Sequence, residues 1–236
     1  MIKAILLDIE GTTTPIDFVH KTLFPYAKAK TSEFVEEHFN EIKTEIEQLE
    51  IEYHIDFANQ IYGRAFRADS PESVANYLKF LTEVDRKSTP LKSLQGKIWQ
   101  SGYESGDLIS EIFGDVPRAF ESWKSQQKTI AIFSSGSILA QKLIFKYSNF
   151  GDLSGFISYY FDTNIGGKKE AESYVKIAAA LNHPPKRVAF VSDAIAELDA
   201  ARNAGMQTTL SIRAGNGIVR QPIYHNAVAS FSDLKI

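Results

Sequence analysis

Lys3-Ala4-Ile5-Leu6-Leu7-Asp8-Ile9-Glu10-Gly11-Thr12-Thr13 decides how the rest of the chain is read. A short apolar run bounded by a polar loop predicts a fully buried strand of a parallel sheet. It stops at an acid. In open α/β sheets ligands sit just outside the carboxyl ends of the strands, so Asp8 falls where chemistry is done. Glu10, two residues on, points the same way while the backbone stays extended. Gly11 permits a sharp turn and a close approach of the backbone. Taken alone, an acid at a strand end is equally well a turn former or a helix cap.

Three more polar strand ends lie downstream. Thr129–Phe133 predicts a second buried strand ending at Ser134-Ser135-Gly136-Ser137, with a helix from about Ile138. A strand over 156–161 ends at Asp162-Thr163, and Lys168-Lys169 precede a helix carrying Tyr174, Ile177, Ala178 and Leu181. Arg187–Val191 ends at Ser192-Asp193; the next helix carries Ile195, Leu198 and Ala201, with Gly205 as its C-terminal cap. Thr208–Ile212 adds another strand. Strands alternating with helices predict an α/β fold with a doubly wound, parallel, Rossmann-like sheet.

Between the first strand and the rest, residues 17–107 keep apolar positions at helical spacing (Leu23, Ala27, Phe34, Val35; Val74, Tyr77, Leu78, Leu81) without β-alternation. Ser70-Pro71 and Thr89-Pro90 read as helix starts. The acids Glu36, Glu37, Glu41, Glu45 and Glu47 read as a solvated face. The expected organisation is a core of 1–16 plus 108–236, with an all-helical cap, 17–107, inserted after the first strand. Asp115-Val116-Pro117 opens one further helix.

With 236 residues, 44% hydrophobic and 23% charged, the chain can bury a substantial core. A net charge of -3 excludes the electrostatic footprint of a nucleic-acid binder, and no apolar run is long enough to span a bilayer. The absence of cysteine excludes disulfides and thiolate chemistry. A cytoplasmic monomer without nucleic-acid or membrane partners is expected. The five histidines show no metal-ligand spacing and receive no role.

Asp8 with Glu10, Ser134 with Ser135, Lys168, and Asp193 together meet the needs of phosphate-ester hydrolysis. A carboxylate nucleophile, Asp8, divides the reaction through an aspartyl-phosphate. Asp8 and Asp193 can hold Mg²⁺, which favours few carboxylates and a phosphate oxygen. Ser134, Ser135 and the following helix N-terminus form a phosphate seat, with Lys168 neutralising charge. Glu10 can protonate the leaving oxygen and then activate water.

On these residues the chain resembles the haloacid dehalogenase-like hydrolases: Asp8 matches their first motif, Ser134 the second, Lys168 the third and Asp193 the fourth. Most phosphatases among them carry Asp two residues after the nucleophile, where this chain has Glu10. That departure, with DIEGTTTPIDFVHKTLFPYA (8–27), LQGKIWQSGYESGDL (94–108), IFSSGSILAQKL (132–143) and FDTNIGGKKEAESY (161–174), is similar to the enolase-phosphatase family of methionine salvage. The resemblance implies one Mg²⁺ held by the Asp8 side chain, the Glu10 backbone carbonyl and Asp193, with Ser134, Ser135 and Lys168 on substrate. It implies a small phosphate ester, 2,3-diketo-5-methylthiopentyl-1-phosphate, enolised and then dephosphorylated. Glu197 stands in place of the frequent acid four residues after Asp193, still within a helical turn of it. Trp99 and Tyr103 are read either as facing the methylthio end or as cap core. The alternative within the class is a phosphatase or phosphomutase for another small phosphate ester.

Overall fold

The computed structural model describes residues 1–217 and 224–236. The chain divides into two compact units, Met1–His20 with Leu108–Ile236, and Lys21–Asp107. The first unit runs to His20 rather than to residue 16.

Ala4–Leu7 forms β1, buried throughout. A short helix, Ile16–Phe18 (α1), leads into a π-helical turn, Val19–Leu23. The helical unit then holds α2 (Phe24–Glu37), α3 (Lys43–Ala58), α4 (Pro71–Glu83) and α5 (Thr89–Ser105). Ser70 caps α4 as expected, its hydroxyl accepting from the Ser73 N–H. For α5 the cap is Ser88, which accepts from the Leu91 N–H at 3.2 Å; Thr89 is already the first helical residue, with Pro90 behind it. Glu36, Glu37, Glu41 and Glu47 are solvated, but Glu45 is not: it is buried against α5, bonded to Lys97 at 2.6 Å and Ser93 at 2.8 Å. Trp99 and Tyr103 are buried. The Trp99 indole N–H donates to the Leu23 carbonyl at 2.8 Å and its ring meets Phe24 edge-on, so it belongs to the core of the helical unit.

The chain returns through α6 (Val116–Ser125), β2 (Thr129–Phe133), α7 (Ile138–Lys146), β3 (Tyr159–Phe161), α8 (Ala171–Ala180), β4 (Val188–Ser192), α9 (Ile195–Asn203), β5 (Gln207–Ser211) and β6 (Asn226–Val228). All strands run parallel, in the order β3-β2-β1-β4-β5-β6. This is the doubly wound α/β sheet expected. β3 is shorter than expected, because Ser154–Phe156 forms a 3₁₀ turn ahead of it. β6 had no apolar run to betray it; Asn226-Ala227-Val228 stands at the end of the strand order, paired with β5.

Two features of this sheet position the site. The winding reverses at β1: β2 and β3 lie to one side, β4 and β5 to the other, and ligands bind at such a switch point. Leu7 stands beside both Ile132 and Val191, so the ends of β1, β2 and β4 are level. The sheet is held by a core that includes Leu6, Phe133, Tyr174, Phe190 and Leu198. Tyr174 packs on Phe133 and Phe190 at 5.6 and 5.1 Å. No helix among the described residues is long and apolar enough to cross a membrane.

Candidate active site

β1 ends at Leu7 and the backbone turns at once. The N–H groups of Thr12, Thr13 and Thr14 all donate to the Ile9 carbonyl, at 3.1, 2.9 and 2.9 Å, and Gly11 closes the turn with φ +66°. Glu10 therefore reaches the site by way of a tight turn, not by strand alternation as expected. Arg213 braces the turn from outside, its Nε donating to the Thr12 carbonyl at 3.1 Å. Its guanidinium lies between the Phe113 and Phe231 rings, 4.6 Å from each, and pairs with Asp115 at 2.8 Å. Asp115, expected at a helix start, does not cap α6 with its side chain; it serves Arg213, Ser230 and the Phe231 N–H instead.

Asp8, Glu10, Ser134, Ser135, Lys168 and Asp193 line a single cavity of about 220 Å³, together with Ile16, His20 and Glu197. Drug-sized ligands occupy larger cavities, from about 300 Å³, so this one suits the phosphate end of a small ester. Two lining residues, His20 and Ile16, escaped the sequence reading. The signal was present only as their four-residue separation on a helical turn, which puts both on one face.

Asp8 is buried and fully engaged. Its Oδ1 accepts from the Ile9 N–H at 2.8 Å and from Lys168 Nζ at 2.7 Å; its Oδ2 accepts from the Ser192 hydroxyl at 3.1 Å. Lys168 Nζ is shared with Glu197, 2.8 Å away. Ser192 also bonds Glu197, so a ring of four side chains closes at the end of β4. Burial alone would depress the Lys168 pKa, but the adjacent Asp8 and Glu197 charges outweigh it and hold the ammonium charged well above its ordinary range. The lysine backbone is pinned from α8, where the Tyr174 hydroxyl donates to the Lys168 carbonyl at 2.6 Å.

Ser134 is buried at the end of β2. Its hydroxyl accepts from the Gly136 N–H at 3.1 Å, while Ser137 caps α7 by accepting from the Ala140 N–H. Gln141 ties this loop to β3, donating to the carbonyls of Gly136 and Phe161 at 2.9 Å each. The capping role belongs to Ser137, leaving Ser134 and Ser135 at the cavity.

Among the described residues, four carboxyls and one lysine line the cavity. Burial, together with this negative charge, raises the pKa of two of them. Burial, and then the Asp8 charge, push Asp193 up to about 7; burial and Asp8 likewise push Glu197 up to about 7. Among the described residues no group of three or more His, Cys, Asp or Glu side chains converges as a metal cluster.

The sequence profile of the haloacid dehalogenase-like hydrolases matches residues 2–205. The chain is 49% identical over 229 residues to "Enolase-phosphatase E1" of Leptospira borgpetersenii serovar Hardjo-bovis (strain JB197), covering 97% of this chain and 96% of that protein. It is 44% identical over 240 residues to the protein of the same name from Drosophila pseudoobscura pseudoobscura, covering 98% and 94%. Among solved structures, the UTR4 protein of Saccharomyces cerevisiae matches with a TM-score of 0.81 at 33% identity, over 99% of this chain and 100% of that one. A parallel sheet with its acids and lysine at the β1 switch point, and this degree of identity over nearly the whole length, place the chain among the haloacid dehalogenase-like hydrolases and, within them, in the enolase-phosphatase E1 family of phosphatases.

Proposed function

We propose that this phosphatase acts on 2,3-diketo-5-methylthiopentyl-1-phosphate. It enolises the substrate and then removes phosphate, releasing the acireductone 1,2-dihydroxy-3-keto-5-methylthiopentene. The observation that carries the phosphoryl half is Lys168 Nζ held between Asp8 and Glu197 in a cavity that Ser134 and Ser135 also line. The substrate itself is supported by membership of the family.

In this reading Asp8 attacks phosphorus and becomes an aspartyl-phosphate. Lys168 screens the charge of the transferring group, and Ser134 and Ser135 bind its oxygens. Glu10 gives a proton to the leaving oxygen, then takes one from the water that opens the intermediate. The α/β unit serves as the catalytic core and the helical unit as its cap.

A dianionic phosphate entering a cavity with four carboxyls and one lysine meets net repulsion unless a cation accompanies it. The residues therefore fit one Mg²⁺, with Asp8 and Asp193 as the carboxylates and Glu10 contributing through its backbone carbonyl; so few protein ligands leave the metal its waters. When bound, Mg²⁺ supplies charge neutralisation at the phosphoryl oxygens.

The test is incubation of the protein with Mg²⁺, the diketo ester and a panel of sugar phosphates under anaerobic conditions. Free phosphate and the ultraviolet absorbance of the conjugated enediol are followed together. Both should rise with the diketo ester. Phosphate without enediol, or faster turnover of another ester, sinks the substrate assignment.

A further inference from the structure

His20 has no part in the phosphoryl chemistry above, yet it lines the same cavity. Its Nε2 lies 3.8 Å from Glu10 Oε2. It sits in the π-helical turn Val19–Leu23, and such turns recur at functional sites.

The side chains of the cavity are graded by depth. Asp8, Lys168 and Glu197 are 7%, 12% and 12% exposed, Glu10 is 40% and His20 57%. A phosphate held by Asp8 and Lys168 would sit at the buried end of this gradient, with its ester group leaving toward the exposed end where Glu10 and His20 stand. The carbon bearing the ester oxygen follows it toward that exposed end. Enolisation must break a C–H bond at that carbon. Of the carboxyls lining the cavity, Asp8 is committed to phosphorus, Asp193 packs on Gly11 as a proposed metal ligand, and Glu197 is bonded to Lys168 and Ser192. Glu10 serves the leaving oxygen. The His20 imidazole, beside Glu10 at the exposed end of the cavity, stands where it can take the proton.

We propose that His20 is the base of the enolisation step and works as a pair with Glu10; this rests on the substrate reading above. His20 takes a C1 hydrogen as a proton. The C1–H electron pair becomes the C1=C2 bond, and the C2 carbonyl π pair moves onto its oxygen, which takes a proton from the Glu10 carboxylic acid. The imidazolium returns its proton to Glu10, directly or through one water across the 3.8 Å gap. One proton has moved from carbon to oxygen, no electrons are gained or lost, and Glu10 is again protonated for the leaving oxygen.

The test separates carbon chemistry from phosphorus chemistry. Asp8→Asn blocks phosphoryl transfer, so exchange of the C1 hydrogens of the diketo ester with D₂O can be followed by NMR in that background. Adding His20→Gln or His20→Ala should slow this exchange by about 100-fold, the lower range for a positioned base. Alone, each His20 variant should lower the ratio of phosphate release from the diketo ester to p-nitrophenyl phosphate hydrolysis by a similar factor, since the latter ester has no hydrogen to remove. Unchanged exchange, or equal loss on both esters, overturns the assignment. If the chain with native Asp8 and His20 cleaves p-nitrophenyl phosphate but neither enolises nor cleaves the diketo ester, the substrate reading fails and the base role falls with it.

Discussion

The Asp193 carboxyl packs directly on the backbone of Gly11: a Cβ on Gly11 would lie 2.8 Å from Asp193 Cγ and closer still to its Oδ2. The Asn216 amide oxygen presses on the same point, 2.9 Å from that Cβ. The close approach that Gly11 permits is therefore to the end of β4 and to the loop after β5.

Gly11→Ala must both shift Asp193 and hold a methyl-bearing residue at φ +66°, which by itself costs about 1–2 kcal/mol. The variant should lose stability by at least that amount in urea melts. Its Mg²⁺ affinity by isothermal titration should also fall, because the displaced carboxyl is one of the proposed ligands. Wild-type metal affinity with reduced stability would mean Asp193 holds no metal.

The elevated Asp193 pKa has a sign that can be tested. A group at about 7 in the fold and near the ordinary carboxyl range when unfolded binds protons more tightly in the native state. Its contribution is thus present at low pH and is lost as pH rises toward and through 7. Asp193→Asn removes that loss. In EDTA its Tm should exceed wild type by roughly a few degrees at pH 8, with the difference shrinking toward pH 4. The amide N–H₂ would also meet the buried Asn216 oxygen, which lacks a hydrogen-bond donor. A difference that does not vary with pH would show that the carboxyl charge is not the cause.

Lys168→Ala removes the lysine ammonium from a cavity lined, among the described residues, by four carboxyls, whereas Ser134→Ala removes a neutral hydroxyl. Charge-assisted bonds are about twice as strong as neutral ones. The lysine change should therefore lower kcat/KM for phosphate release by more than the serine change, on the diketo ester and on p-nitrophenyl phosphate alike. Equal small losses would put the phosphate elsewhere.

Arg213→Met keeps apolar bulk between Phe113 and Phe231 but strands the Asp115 carboxylate and releases the Thr12 carbonyl. Breaking one side of a buried pair typically costs about 3–5 kcal/mol. Asp115 keeps Ser230 and the Phe231 N–H, so the lower end is expected from denaturant midpoints. Arg213→Lys should recover part of it, without the stacking.

What the amino-acid sequence alone determined is the order of elements and the chemistry at their ends. β1, β2 and β4 are continuous apolar runs, and such runs are buried on both faces wherever they lie, so their positions and the polar residues that stop them are written locally. Asp8, Ser134 and Asp193 could be named for the same reason and Lys168 from its place before the next helix, and their order along the chain carried the family likeness. Tertiary structure alone decided which way each chain end turns and what lies across from it. The carbonyl of Ile9 gathers three N–H groups and swings Glu10 into the cavity by a turn. Glu45 is buried because Lys97 and Ser93 on α5 meet it, not because of its neighbours in sequence. Arg213 reaches back to Thr12 across the sheet, and β6 exists because β5 offers it an edge. His20 was one of five scattered histidines until a π turn aimed it at Glu10. Burial and periodicity are local properties that a sequence carries on its face. Pairing between groups far apart in the chain is set by the packing that brings them together, and no spacing records it.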